Sequence, residues 1–199
     1  MLDVGCGAGG FGASVKQTRG TEVWGVELVK SAAEKASAKL DHVINATFDS
    51  EIRLPAGTFD CIVFNDVLEH MVAPEQALRY AKTLLSHGGV IVASIPNIRN
   101  FPVIWQLLAH ARWEYKDSGV LDRTHLRFFT KSSIEEMFHG EGYSLERICG
   151  INAYVGTDGT GPSRSLWAAY KTANALLLGK LSDMKYIQFA VVAKAASSW

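Results

Sequence analysis

The chain has 199 residues and a mass of 21.7 kDa, and apolar residues make up 48 % of it, which suits one domain with a sizeable core and excludes a disordered chain. Twenty basic residues balance twenty acidic ones, so no net charge steers the chain toward nucleic acid or an anionic surface, no apolar run approaches the roughly 18 residues of a membrane span, and the start lacks the basic flank and apolar run of a secretory signal. Cys6, Cys61 and Cys149 are odd in number, far apart and free of CxxC spacing, so neither a disulfide framework nor a zinc site is expected, and a reducing cytoplasm is.

Met1–Val4 reads as the end of a buried strand, followed at once by Gly5-Cys6-Gly7-Ala8-Gly9-Gly10. Phe11–Arg19 reads as a short helix, Glu22–Glu27 as a second strand, and Ser31–Leu40 as a helix with Ser31 as N-cap. Val43–Ala46 is a short strand. Phe59–Phe64 and Val90–Ile95 are near-continuous apolar runs, the pattern of parallel strands buried on both faces. Between them Pro74 opens a helix that Gly88-Gly89 closes, with Ala77, Leu78, Ala81, Leu84 and Leu85 as its apolar stripe. Phe101–Trp113 reads as a helix with Ile104, Leu107, Leu108 and Ala111 on one face. Ser132-Ser133-Ile134-Glu135 fits a capping box for a helix ending near Gly140. Tyr143–Cys149 is a strand, Thr157–Ser165 a Gly/Thr/Ser-rich loop, and an amphipathic helix runs on to about Leu181. Tyr186–Lys194 is a final strand with alternating burial. Strand–helix alternation predicts an α/β, doubly wound, Rossmann-like sheet.

The glycine loop carries the main signal. Glycines between a strand and a helix let backbone approach a ligand closely, because no Cβ intervenes. Gly5-x-Gly7-x-x-Gly10 also matches the dinucleotide fingerprint, and a tight turn with no ligand would use the same residues. Asp3 precedes the loop, where it can accept from an ammonium group and would repel a pyrophosphate. Glu27 ends the second strand, placed to take both ribose hydroxyls. Asp49 follows the third strand, near where an adenine amino group would lie, or is a solvated loop aspartate.

Leu2-Asp3-Val4-Gly5-Cys6-Gly7-Ala8-Gly9 resembles motif I of the class I S-adenosylmethionine-dependent methyltransferases. Phe59 to His70, with Asn65-Asp66-Val67-Leu68-Glu69-His70 at its end, resembles their fourth strand and the loop after it. Leu84–Val90 is similar to the turn before strand five. Ser94-Ile95-Pro96-Asn97 and Leu121 to Thr130 resemble a bacterial subgroup associated with glycans and other small metabolites. The resemblance covers nearly the whole chain and does not specify a substrate. It implies a mostly parallel sheet with an antiparallel last strand and S-adenosylmethionine as methyl donor. Asp3, Gly5, Cys6 and Gly7 would line its methionine part, Glu27 would bind ribose, Leu28, Asp49 and Ser50 would flank adenine, and Asn65 and Val67 would lie near the sulfonium.

Methyl transfer from a sulfonium needs mainly an aligned nucleophile. An alcohol or phenol acceptor also needs a base, and histidine suits that task. His70 is the first candidate and His125 the second, with Arg127 as anchor for an anionic substrate; capping for His70, and ion pairing with Asp122 for the other two, are the structural alternatives. Glu69 and His70 lack a third ligand at recognisable spacing, so no metal is assigned. Segments 97–130 and 157–182 are expected to be insertions of the single domain that complete the core or a dimer face, or wall a pocket for a hydrophobic acceptor. The expected acceptor is a small molecule or glycan, with oxygen as the nucleophile. A nicotinamide-dependent oxidoreductase and a non-catalytic cofactor-binding module are the alternatives. Because Met1 already lies in the central strand, the sequence further suggests a truncated form or a second copy covering the open face, the 166–178 helix being the element to supply that cover.

Overall fold

A computed structural model describes residues 1–153 and 164–196. Seven strands form one sheet in the order β3-β2-β1-β4-β5-β7-β6. In chain order they are β1 (Leu2–Val4), β2 (Trp24–Val26), β3 (His42–Ile44), β4 (Phe59–Asn65), β5 (Leu85–Pro96), β6 (Tyr143–Ala153) and β7 (Tyr186–Ala195). The helices are α1 (Gly10–Arg19), α2 (Lys30–Ser37), α3 (Pro74–Leu84), α4 (Phe101–His110), α5 (Lys131–Gly140) and α6 (Arg164–Leu176). The first five strands run parallel. β7 inserts between β5 and β6, antiparallel to both.

The apolar runs behave as parallel strands covered on both sides. Ile62, Val63, Phe64, Ile91 and Ile95 are all buried. Ile62, Phe64, Ile91 and Ile95 pack with the Ala77, Leu78, Ala81 and Leu84 stripe of α3 and with Ile134 and Phe138 of α5 into the main core. A smaller cluster of Cys6, Val23, Ala36 and Leu40 lies under α1 and α2.

Three local expectations are corrected. Ser31 does not cap α2; Val29 holds the cap position in extended backbone, and its N–H donates to Glu27 Oε1 at 2.8 Å, so a carboxylate from the preceding strand starts the helix. Gly88-Gly89 does not close α3. The chain turns into β5 at Leu85, which pairs with Phe59 before the register shifts to Cys61–Val90. Gly88 has φ +79°, and a Cβ on Gly89 would meet the Phe59 carbonyl at 2.8 Å, so the pair serves a bulge. The capping box of α5 starts at Thr130, not Ser132. Thr130 and Ser133 exchange their hydroxyl and backbone contacts reciprocally, a serine standing where glutamate was expected.

Of the predicted insertions, α4 buries no side chain despite its apolar composition, so it does not complete the core. The predicted 157–165 loop falls largely outside the described residues. Asn97 and Asn100, both buried, donate to the carbonyls of Asp183, Met184 and Tyr186 and tie the end of β5 to the start of β7. Among the described residues no helix is long and apolar enough to cross a membrane.

Candidate active site

β1, β2 and β4 all end at the same edge of the sheet, and their following loops surround a cavity of about 550 Å³. This is the carboxyl-end crevice where open α/β sheets bind ligands. The floor is the glycine loop. Gly5 has φ +68°, and a Cβ there would come within 2.6 Å of Val67 Cγ2. Only glycine allows the loop and the β4 end to meet so closely. Gly9, also left-handed at φ +73°, is the N-cap of α1.

Glu27 closes one side. Its two oxygens accept from Gly7 N and Val29 N, each at 2.8 Å. Asn45 donates to the backbone carbonyls of Glu27 and Leu28 at 2.7 and 2.9 Å. Glycine loop, β2 end and α2 start are thus bound together through one carboxylate. Leu28, Asp49 and Ser50 line the cavity beyond it, and Val67, His70 and Met71 line the opposite wall.

Asp3 sits beneath the loop, 2 % exposed. Its Oδ2 has no hydrogen-bond partner. Burial pushes its carboxyl up to about 6, partly offset by the Gly12 N–H and reinforced by the Glu27 charge. Cys6 turns its side chain into the small core, where burial raises the thiol to about 11; only its backbone belongs to the loop. Gly7 contributes its N–H to Glu27 and does not line the cavity, and neither does Asn65.

His70 lies on a 3-10 turn, Leu68–His70, directly after β4. Its Nδ1 is 3.1 Å from the Thr124 carbonyl. A carbonyl only accepts, so Nδ1 is the donor of this contact, and in the neutral ring the lone pair lies on Nε2. His125 is buried, with Nδ1 against the Val120 carbonyl at 3.1 Å; burial holds it below the usual imidazole range. The two rings meet edge-on at 4.8 Å. Glu69 is buried beside them with neither carboxylate oxygen hydrogen-bonded, and burial raises its carboxyl to about 8.

Ligating atoms of Glu69, His70 and His125 lie within 4.8 Å of one another. The fold therefore supplies the third group that spacing alone did not reveal, a donor set of the kind a divalent cation accepts. His125 comes from the 121–130 loop, which pairs with the β4 turn through Leu126 N and Arg127 N donating to the Glu69 carbonyl. Arg127 does not face the cavity. Its guanidinium donates to the Val72 carbonyl at 2.5 Å, and neither it nor His125 pairs with Asp122, which instead accepts from Thr124.

Asp66 was not anticipated. It lines the cavity, adopts φ +52°, and its Oδ1 accepts from Ser94 Oγ at 3.0 Å and Gln188 Nε2 at 2.6 Å. The sequence signal was present in Asn65-Asp66 at a strand end, since aspartate tolerates left-handed backbone better than most residues.

Residues 1–148 match the methyltransferase domain family. The chain is 32 % identical over 160 residues to a ubiquinone biosynthesis O-methyltransferase of Chromobacterium violaceum, covering 76 % of this chain and 67 % of that one. It is 29 % identical over 165 residues to the protein of the same name from Psychrobacter arcticus, covering 76 % of this chain and 62 % of the relative. The chain thus spans about two thirds or less of these relatives. A methyltransferase structure from Archaeoglobus fulgidus superposes with TM-score 0.69 at 18 % identity, over 97 % of this chain and 84 % of that one. A dinucleotide-binding sheet has the order 3-2-1-4-5-6; the inserted antiparallel β7 departs from it and removes the nicotinamide reading. Sheet order, glycine floor and family match agree: the chain belongs to the methyltransferase domain family, of the class I, S-adenosylmethionine-dependent type.

Proposed function

We propose that this chain transfers a methyl group from S-adenosylmethionine to an oxygen of a small-molecule acceptor, with His70 as the base. The observation that carries the reading is His70 at the cavity wall with its tautomer fixed by Thr124, so that Nε2 is free to take a proton. His70 is also exposed, which gives that proton a route to water.

The cavity chemistry suits a cationic donor. Glu27, Asp49 and Asp66 line it, and no lysine or arginine does among the described residues. A pyrophosphate would meet three acids there; a sulfonium and an ammonium would not be repelled. Glu27 lies at the end of β2, within reach of a ribose, and Asp3 beneath the loop retains a buried oxygen without a donor. Gly5 lets backbone approach without a Cβ. The donor supplies an already activated methyl carbon. What the protein supplies is alignment, a proton acceptor, and a shaped wall.

The apolar wall of Phe48, Val67, Met71, Val72 and Ala73 favours an aromatic or hydrophobic acceptor over a glycan. The relatives named ubiquinone biosynthesis O-methyltransferase support oxygen as the nucleophile. His125, buried and neutral behind His70, acts as a positioning residue. Calorimetric titration with S-adenosylmethionine, its demethylated product and NAD tests the donor half of this reading. Micromolar binding of the first two and none of the third is expected; tight binding of NAD alone would overturn it.

A further inference from the structure

We propose that Asp66, held by a series of neutral hydrogen-bond donors along the sheet edge, reads the charge on the donor's sulfur, so that the crevice favours the methylated sulfonium over its demethylated product; this rests on the donor binding in the crevice as proposed.

Asp66 follows β4 and lines the cavity. Its Oδ1 accepts from Ser94 Oγ of β5 at 3.0 Å and from Gln188 Nε2 of β7 at 2.6 Å. Its own N–H donates to Ser94 Oγ and to the Ser94 carbonyl, each at 3.1 Å, so aspartate and serine are tied through backbone and side chain alike. A carboxylate only accepts, so Gln188 turns its amide N–H to Asp66 and its carbonyl the other way. Asn152 of β6 meets that carbonyl, its Nδ2 donating to Gln188 Oε1 at 2.5 Å. The strands β4, β5, β7 and β6 lie side by side in this order. Ser94 and Gln188 thus aim donors at one carboxylate directly, and Asn152 does so in series, each bond polarising the next. Both ends of the series are left-handed, Asp66 and Asn152 each at φ +52°, a backbone that residues other than glycine keep when the surrounding contacts over-determine it.

The kind of partner matters. Asp41, Glu141 and Asp183 each pair with a lysine or an arginine. The side chain of Asp66 is held by neutral donors among the described residues. Dipoles steady a carboxylate without cancelling its charge, so the charge stays on the cavity wall. Asp66, Val67 and His70 all line the cavity on the β4 side, away from Glu27. With ribose at Glu27 and the acceptor oxygen at His70, the sulfur and its methyl group lie between them, against this wall. Transfer joins the methyl carbon to the acceptor oxygen, passes that oxygen's proton to His70 and leaves the C–S electron pair on sulfur. The positive charge at sulfur is then gone, while the ribose and the methionine end are unchanged. Glu27 therefore meets donor and product alike, and Asp66 does not. An opposite charge held beside the sulfonium in a half-open crevice contributes on the order of tenfold in affinity.

The test is calorimetry of the 199-residue chain with S-adenosylmethionine and, separately, with its demethylated product, in the absence of any acceptor. Asp66→Asn keeps an oxygen for Ser94 and Gln188 and removes the charge. It should bind S-adenosylmethionine about tenfold more weakly and the product within about twofold of the parent. Gln188→Met takes away one donor and leaves Asp66 in place. It should lose roughly threefold on S-adenosylmethionine alone, a selective effect that a merely structural role would not produce. Raising salt from roughly 0.05 to 0.5 M should shrink the parent's ratio of the two affinities by several-fold and leave that of Asp66→Asn unchanged. Equal losses for both ligands would make Asp66 a shaping residue of the wall and overturn the proposal, as would unchanged affinity for both. A parent that binds neither ligand would overturn the donor placement and this proposal with it. No acceptor is present, so the outcome does not depend on His70 being the base.

Discussion

Asp3→Asn separates two consequences of one buried carboxylate. In the folded chain its carboxyl is raised from 3.8 to about 6, chiefly by burial. A raised carboxylate means that the folded state holds the proton more tightly than the unfolded one. The stabilisation is therefore complete below about pH 4 and is lost as pH rises through 6. The shift of about two pKa units corresponds to roughly 3 kcal/mol at most, and at 2 % exposure solvent screening does not diminish it. Asparagine keeps an oxygen for the Gly12 N–H and carries no charge. Urea unfolding of parent and variant across pH 3.5 to 7.5 measures the difference. The variant should gain up to about 3 kcal/mol relative to the parent over that range. If Asp3 holds the donor's ammonium as proposed, the variant's affinity for S-adenosylmethionine should fall by about tenfold or more. A stability difference that does not change with pH would refute the burial argument.

The other variants follow from single contacts. Glu27→Ala removes the acceptor for Gly7 N and Val29 N as well as the proposed acceptor for ribose, and should weaken donor binding by about 1–3 kcal/mol by calorimetry; unchanged affinity would show the ribose assignment to be wrong. Gly5→Ala places a Cβ 2.6 Å from Val67 and strains a left-handed residue; about 2–4 kcal/mol of stability should be lost. Val67→Ala in the same chain should recover the packing part and leave the backbone part. Gly7→Ala, at φ +53° with nothing within 4 Å of the new Cβ, should show only that backbone part in denaturant melts. Arg127→Ala should cost about 0.5–1.5 kcal/mol of stability through its lost bond to Val72 and leave the acceptor KM unchanged; a KM raised about tenfold would restore Arg127 as a substrate anchor.

The fold was legible where burial has a simple period. β4 and the central stretch of β5 stood out as apolar runs because both faces are covered. α3 stood out because its stripe repeats at helical spacing. The edge of the sheet that carries the cavity was legible as well, since a glycine loop followed by an acid at Glu27 is local in sequence. What stayed hidden depends on long-range contacts. Glu27 starting α2 displaced the expected Ser31 cap, and no local propensity encodes that reach. Gly88-Gly89 reads equally as a helix stop or a bulge until β4 is seen beside it. His125 could not be joined to Glu69 and His70 from spacing, because the 121–130 loop reaches them only by pairing with the β4 turn. The apolar pattern of α4 suggested a core helix, yet it buries no side chain. Hydrophobic periodicity reports that a helix has an apolar face, and it does not report what that face meets.

The most direct measurement of the central claim is methyl transfer from labelled S-adenosylmethionine to a hydroxyl-bearing aromatic acceptor by the parent and by His70→Ala. Donor affinity should be read on the same samples by calorimetry. The proposed role of His70 predicts a turnover lower by roughly 10²–10⁴ in the variant with a donor Kd within about twofold of the parent. Turnover equal to the parent, or a turnover loss matched by an equal loss of donor affinity, would contradict it.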